Sequence, residues 1–262
     1  PRSAIGRHDW RPLELPRSCP ADSEQARRIL SARPRHWLDW YEGRLVTNFE
    51  APPDFVPASV TREQLREIHA LIHVENELID EACANVWDTI MARGWADDTD
   101  VIFTTDHGEL QGDFGLLFKG PYHVDALMRL PMIWRPARSE ACAPGRIAQP
   151  VGQVDLAPTF CRIAGIDVPE WMQGKPLRRS PAEAECQGRV RVLTEWDSEF
   201  KGIEVRLRTI YRDGFVCTVY EKGSLYDGSE GELYDLSNDP HQWRNLWNEP
   251  AQRRLRDDLI AD

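Results

Sequence analysis

Nowhere in this 262-residue sequence does an apolar run approach the roughly 20 residues that a membrane-spanning helix needs, so no transmembrane helix is expected. No opening stretch reads as a signal peptide, but the chain starts at Pro1 without an initiator methionine, and a processing or truncation point is the expectation there. Cysteine is sparse, with Cys19, Cys83, Cys142, Cys161, Cys186 and Cys217 forming no C-x-x-C pair, which argues against a structural zinc site. Cys83 and Cys161 fall in helical patterns and Cys217 in a strand pattern. They read as reduced, partly buried thiols, and a cytoplasmic setting is the expectation. Basic charge is also short. The formal net charge of −11 argues against nucleic acid as a partner, because phosphate binding wants a basic face. Internal repeats and low-complexity tracts are absent. With 41% hydrophobic residues, the chain can bury a core of one large domain or one and a half.

Pro1 to Pro20 shows no periodicity and reads as a surface loop. Asp22 to Leu30 suits a short helix stopped before Pro34. Trp37, Trp40 and Tyr41 give the next segment weight for packing. Ala51 to Pro57 is a rigid turn. Thr61 with Gln64 fits a capping box, which opens a long helix ending at Gly94. Leu65, Ile68, Ile72, Ile79, Ala82, Val86 and Ile90 give that helix one apolar stripe, expected to be buried. His69 and His73 lie four apart on it, as a zinc pair would, but no third ligand is evident and a polar helix flank is the expected role. Leu130 to Trp134 reads as a strand and Arg135 to Pro150 as a loop. A helix follows with Asp155 as N-cap, Pro158 in its first turn and Gly165 at its end. Gly174 to about Gly188 is a connector. Beyond it, Val190–Thr194, Val205–Ile210 and Phe215–Tyr220 read as short strands, with Asp213-Gly214 as a hairpin turn. Leu233–Asp235 would add a strand, and Gln252 to Ile260 a terminal helix with Leu255 and Leu259 inward. Trp243 and Trp247 are expected to pack this end against the body.

The stretch around which the rest is organised runs from Val101 to Glu109. Val101, Ile102 and Phe103 form a continuous β-branched and aromatic run, the pattern of a strand covered on both faces. Asp106 and His107 follow at its carboxyl end, the edge where open α/β sheets bind ligands. An acid and an imidazole side by side offer a hard oxygen and a nitrogen to one cation. Gly108, Gly112 and Gly115 let the following loop bend and bring backbone close to a ligand. Lys119 comes twelve residues after His107 on a glycine-containing loop, suited to neutralise an anionic group. Tyr122 and His123 follow it. His123 could donate a hydrogen bond or a proton from a pocket wall, or it could pack beneath the loop. Glu195 and Asp197 end a strand and read as solvated.

Thr-Thr-Asp106-His107-Gly-Glu-Leu, Gly112-Asp-Phe-Gly-Leu, Lys119-Gly-Pro, Arg129-Leu-Pro-Met-Ile, Val154-Asp155-Leu-Ala-Pro-Thr159 with Gly165-Ile166, and Glu232-Leu-Tyr-Asp-Leu-Ser-Asn-Asp-Pro240 follow in this order. Together they resemble the sulfatase family of the alkaline phosphatase superfamily, over about Thr61 to Asn248. The resemblance implies an α/β fold: part of an alkaline-phosphatase-like sandwich with a mostly parallel central sheet, plus a small C-terminal antiparallel sheet with a terminal helix. Residues 1–180 would belong to the core domain and residues 181–262 to a C-terminal subdomain. It implies a sulfuric ester hydrolase acting on a small-molecule sulfate ester. Asp106 and His107 would be metal ligands, most simply for Ca²⁺ (Mg²⁺ and Mn²⁺ being the other candidates). Lys119 would be the catalytic and sulfate-binding lysine, with His123 a weaker candidate for substrate binding.

The family's formylglycine nucleophile, two further metal-binding acids and other cationic residues come from an N-terminal half that this sequence does not match. The chain is therefore expected to be the C-terminal portion of a longer enzyme, poorly active and aggregation-prone alone. Cys142-Ala-Pro-Gly-Arg146 fits the C-x-P-x-R signature of a converted cysteine, but it follows Asp-His-Gly instead of preceding it, and a chance match is expected. A phosphonate or phosphodiester hydrolase of the same superfamily is the alternative activity, and a non-catalytic half-protein that needs a partner chain is the alternative class. Homo-oligomerisation is compatible with either.

Overall fold

The computed structural model describes residues 6–45, 51–52, 55–137, 142–200 and 202–262. The first five residues of the N-terminal loop, Pro53 and Asp54 of the rigid turn, and residues 138–141 of the loop before Cys142 lie outside them.

Helix α1 (Ser23–Ser31) starts where Asp22 accepts from the Gln25 amide at 2.8 Å, and it buries Ala26, Ile29 and Leu30. Helix α2 (His36–Tyr41) buries His36, Trp37, Trp40 and Tyr41. These aromatics form one core with Leu110, Phe114, Leu116, Tyr122, Val124 and Leu127. The core thus lies directly under the segment that follows Asp106 and His107.

Helix α3 (Arg62–Ala92) is capped as expected, with Thr61 Oγ1 accepting from the Gln64 amide and Gln64 Oε1 from the Thr61 amide. Its apolar stripe is not covered along its length. Leu65, Ala70 and Val74 are buried, whereas Ile79 is 50% exposed and Val86 61%. Periodicity marks a helix as amphipathic but does not say what covers it; among the described residues α3 buries side chains only in its first half, and farther along Trp87 meets the Arg135 guanidinium 4.3 Å from its ring centre.

Strand β1 (Val101–Thr104) pairs antiparallel with β4 (Met132–Arg135). Phe103 is 39% exposed, so the expected burial of β1 on both faces does not occur within this chain. All strand pairs among the described residues are antiparallel; the parallel part of the expected central sheet is not made by these residues. Strands β2 (Leu110–Gln111) and β3 (Leu117–Phe118) form a short hairpin, and α4 (Asp125–Met128) leads into β4.

Helix α5 (Leu156–Ala164) follows a 3-10 turn at Gln153–Asp155 and ends at Gly165, whose φ of 68° is left-handed. The connector after Gly174 holds a further helix, α6 (Pro181–Gln187), capped by Ser180. Its composition gives little apolar periodicity over seven residues, so the Ser180 cap and Pro181 at the first helical position are the local signals.

The C-terminal sheet is a four-stranded antiparallel meander, β5 (Arg191–Phe200), β6 (Ile203–Arg212), β7 (Phe215–Tyr220) and β8 (Gly231–Asp235). Asp213 and Gly214 both have positive φ, 54° and 80°, as a two-residue hairpin turn requires. Helix α7 (Arg253–Ala261) lays Leu259 against Ile210, Cys217 and Leu233, with Trp247 and Leu255 packed on the same cluster. Trp243 packs on the N-terminal core and donates to the Ser18 carbonyl at 3.2 Å. The segments before and after residue 180 are joined by the Arg33–Glu232 ion pair and by the His36–Tyr226 and His123–Thr209 hydrogen bonds. The resulting fold is mixed α/β, with a small antiparallel sheet and a terminal helix.

Candidate active site

Strand β1 stops at Thr104, and the next residues leave the sheet edge as a loop. Thr105 Oγ1 donates to the His107 carbonyl at 2.5 Å, and Asp106 Oδ1 accepts from the His107 amide at 2.9 Å. Gly108 then runs hard against α4. Its amide donates to the Leu127 carbonyl at 2.9 Å, and a Cβ at this position would lie 2.0 Å from the Ala126 carbonyl oxygen. Glycine is required here by close approach, not by a left-handed φ.

Asp106 and His107 project outward, with their side chains 84% and 43% exposed. His107 Nδ1 lies 2.9 Å from the Gly108 carbonyl, which can only accept. Nδ1 therefore carries a proton toward that carbonyl, and Nε2 is directed away from the backbone. Nε2 is 3.4 Å from Asp106 Oδ2. A carboxylate oxygen and an imidazole nitrogen oriented by a backbone carbonyl fit a divalent cation. Two donors are too few for Ca²⁺, which takes roughly 6–8 oxygens. No group of three or more His, Cys, Asp or Glu suited to a metal occurs among the described residues.

The β2–β3 hairpin brings Lys119 to this loop. Leu110 pairs with Phe118, so Glu109 and Lys119 stand opposite each other at the open end, with Nζ 3.9 Å from Glu109 Oε2. Lys119, twelve residues after His107 in sequence, thus meets Glu109, two residues after it, across the hairpin. The hairpin turn is held under strain. Phe114 and Phe118 have φ of 57° and 67°, and such residues persist only where packing over-determines them. Phe114 is buried in the core, and Phe118 packs edge-on against Phe55 at 5.4 Å. Asp113 accepts from Ser18 Oγ and the Gln111 amide, and His69 Nε2 meets the Gln111 carbonyl at 2.7 Å. His69 thus braces the hairpin, while His73 lies against the His8 ring.

His123 does not line the surface of this site. It is 4% exposed, and its Nδ1 lies 2.7 Å from Thr209 Oγ1. Burial holds its pKa down to about 4, so the ring is neutral. Of the two roles open to His123 from sequence, this placement is that of packing beneath the loop, because the two residues after Pro121 turn into the core. Tyr122 is fully buried, stacked on His36 at 5.0 Å. Cys142 is exposed, its thiol 2.9 Å from the Arg179 carbonyl. Cys161 and Cys217 are buried, whereas Cys83 is exposed on α3. Two residues of the site were not singled out from sequence. Glu109 could have been found from the hairpin register, and Gln153, which donates to the loop backbone, carries no local signal.

Residues 36–166 match the family model described as Sulfatase, and residues 112–262 match the one described as N-sulphoglucosamine sulphohydrolase, C-terminal. The chain belongs to the sulfatase family. It is 27% identical over 226 residues to the uncharacterized sulfatase YidJ of Escherichia coli, covering 85% of this chain and 40% of that protein. It is 27% identical over 223 residues to arylsulfatase K of Xenopus laevis, covering 80% of this chain and 38% of that protein. This sulfatase-family chain therefore spans about two fifths of the curated relatives it matches. Its fold superposes on the phosphonate monoester hydrolase SpPMH of Silicibacter pomeroyi with a TM-score of 0.78 at 22% identity, over 100% of this chain and 51% of that one.

Proposed function

We propose that the complete polypeptide to which this chain belongs hydrolyses a small-molecule sulfate ester, and that this chain supplies two of its metal ligands and its sulfate-binding lysine. The observation that carries this reading is the hairpin register, which sets Lys119 opposite Glu109, two residues after His107, in a sulfatase-family chain. Asp106 and His107 Nε2 would hold a divalent cation, most simply Ca²⁺, together with acids from a segment outside this chain. When bound, such a cation supplies Lewis-acid polarisation of a sulfate oxygen. A formylglycine hydrate from the same outside segment would be the nucleophile. Lys119, whose side chain is 28% exposed, keeps its ammonium near Glu109 and can turn it toward the sulfate or the departing oxygen, where it neutralises developing negative charge. Glu109 lowers the cost of holding that ammonium at the loop before substrate arrives.

The test is turnover of paired aryl sulfate and aryl phosphate or phosphonate esters by the complete polypeptide with Ca²⁺. Faster sulfate release is expected. Preference for the phosphorus esters would favour the phosphonate or phosphodiester reading, and no turnover with no bound metal would favour a non-catalytic half-protein. Lys119→Ala is expected to lower kcat on the sulfate ester on the order of 10²–10³-fold, the usual cost of removing one charge-stabilising donor. An unchanged kcat would remove Lys119 from the site.

A further inference from the structure

Two backbone carbonyls of the metal-loop segment, those of Thr105 and Asp106, belong to the two peptide units that flank the Asp106 Cα. Both accept from one side chain. Gln153 Nε2 lies 2.6 Å from the Thr105 oxygen and 2.8 Å from the Asp106 oxygen. An amide nitrogen carries two hydrogens, so each carbonyl can receive its own. With both flanking peptide planes held by Gln153, the direction of the Asp106 Cα–Cβ bond is set, and the His107 amide then holds the carboxylate at 2.9 Å.

Gln153 is itself seated on a rigid support. It opens the 3-10 turn Gln153–Asp155, and Asp155 is 1% exposed. The Asp155 carboxylate accepts from the Gly152 amide at 3.0 Å and the Lys175 amide at 2.8 Å, and it pairs with the Arg189 guanidinium. Thr159 Oγ1 donates to the Asp155 carbonyl at 2.6 Å and accepts from the Leu177 amide at 2.8 Å. Gly174 permits the 175–177 segment to close on this turn, since a Cβ there would lie 1.9 Å from the Val154 oxygen. The half-buried Arg189–Asp155 pair thus anchors the turn, whose Gln153 in turn holds the peptides on either side of Asp106.

We infer that Gln153 is a positioning residue for the metal-binding loop, acting through Asp106 and not touching substrate. This rests on the reading of Asp106 and His107 as cation ligands. The test titrates Ca²⁺ into the complete polypeptide by calorimetry for the wild type and for Asp106→Ala, Gln153→Glu and Gln153→Ala. Gln153→Glu keeps the shape but replaces the donor nitrogen with an acceptor facing two carbonyls. Loss of a residue that orients a ligand typically weakens metal affinity by 10–100-fold. That weakening is expected in both Gln153 variants, with kcat recovering in Gln153→Ala at excess Ca²⁺. Amide hydrogen exchange of metal-free peptides covering residues 105–109 should quicken in both variants, and this readout stays interpretable if calcium binding is altered by partial unfolding elsewhere. Wild-type binding lost in Asp106→Ala but unchanged in both Gln153 variants would overturn this inference and leave the proposed function intact. Absence of Ca²⁺ binding by the wild type would overturn both.

Discussion

Arg33→Ala is expected to lower the free energy of unfolding by about 3–5 kcal/mol, the usual cost of stranding one partner of a buried ion pair. Arg33 and Glu232 lie 2.9 Å apart with side chains 1% and 2% exposed. The carboxylate also accepts from Tyr234 OH at 2.6 Å and Tyr220 OH at 2.5 Å. Burial, together with the charge of Glu232, pushes both phenols well above their ordinary pKa, so they remain protonated donors. The guanidinium lies 4.2 Å from the ring centres of Trp37 and Phe114, and it donates to the Gln242 carbonyl. Alanine would remove these ring contacts and leave the buried Glu232 carboxyl with only two phenols as partners. The pair links the end of α1 to β8 across 199 residues, so its loss should loosen the C-terminal sheet from the N-terminal core. Urea unfolding followed by fluorescence of the ten tryptophans measures this. A midpoint shift worth less than about 1 kcal/mol would mean that water reaches Glu232 in the native state.

Acidification should have a comparable effect through His36 and His123. His36 is fully buried, and burial, opposed in part by its hydrogen bond to Pro121, lowers its pKa to about 3. Its Nε2 lies 3.0 Å from the Pro121 carbonyl and must donate, so Nδ1 accepts from Tyr226 OH at 2.5 Å. Burial likewise brings His123 to about 4. Both folded values lie below the unfolded value near 6.5. The unfolded chain therefore binds more protons as pH falls, and stability that is complete above pH 6.5 is lost toward pH 4 for His123 and pH 3 for His36. Each histidine should cost about 3 kcal/mol by pH 4. Both flank the turn after Lys119, so the loop carrying that lysine is the part most directly destabilised. Urea midpoints at pH 7 and pH 5 should converge in His36→Phe and His123→Phe relative to the wild type. Equal pH slopes in all three proteins would show that the rings are protonated while folded.

Local chemistry made much of this protein legible. The Thr61–Gln64 capping box, the Asp22 cap, Gly165 and the Asp213–Gly214 turn each act within four residues, so sequence spacing specifies them. The order of the Asp-His-Gly, lysine and Glu-Leu-Tyr-Asp blocks was enough to point to the sulfatase family. The sequence by itself thus determined where helices and hairpins start and stop, and which residues carry acid, imidazole and ammonium groups. Which groups face outward was decided only by tertiary structure. His123 and Lys119 are four residues apart on one loop, yet one is 4% exposed and the other reaches Glu109. The strained Phe118 backbone and the pull of Thr209 separate them. The Gln153 contacts span 47 and 48 residues, and the Arg33–Glu232 pair spans 199. No local pattern encodes such distances. They arise when apolar surfaces pack and leave buried polar atoms needing partners wherever the chain brings them.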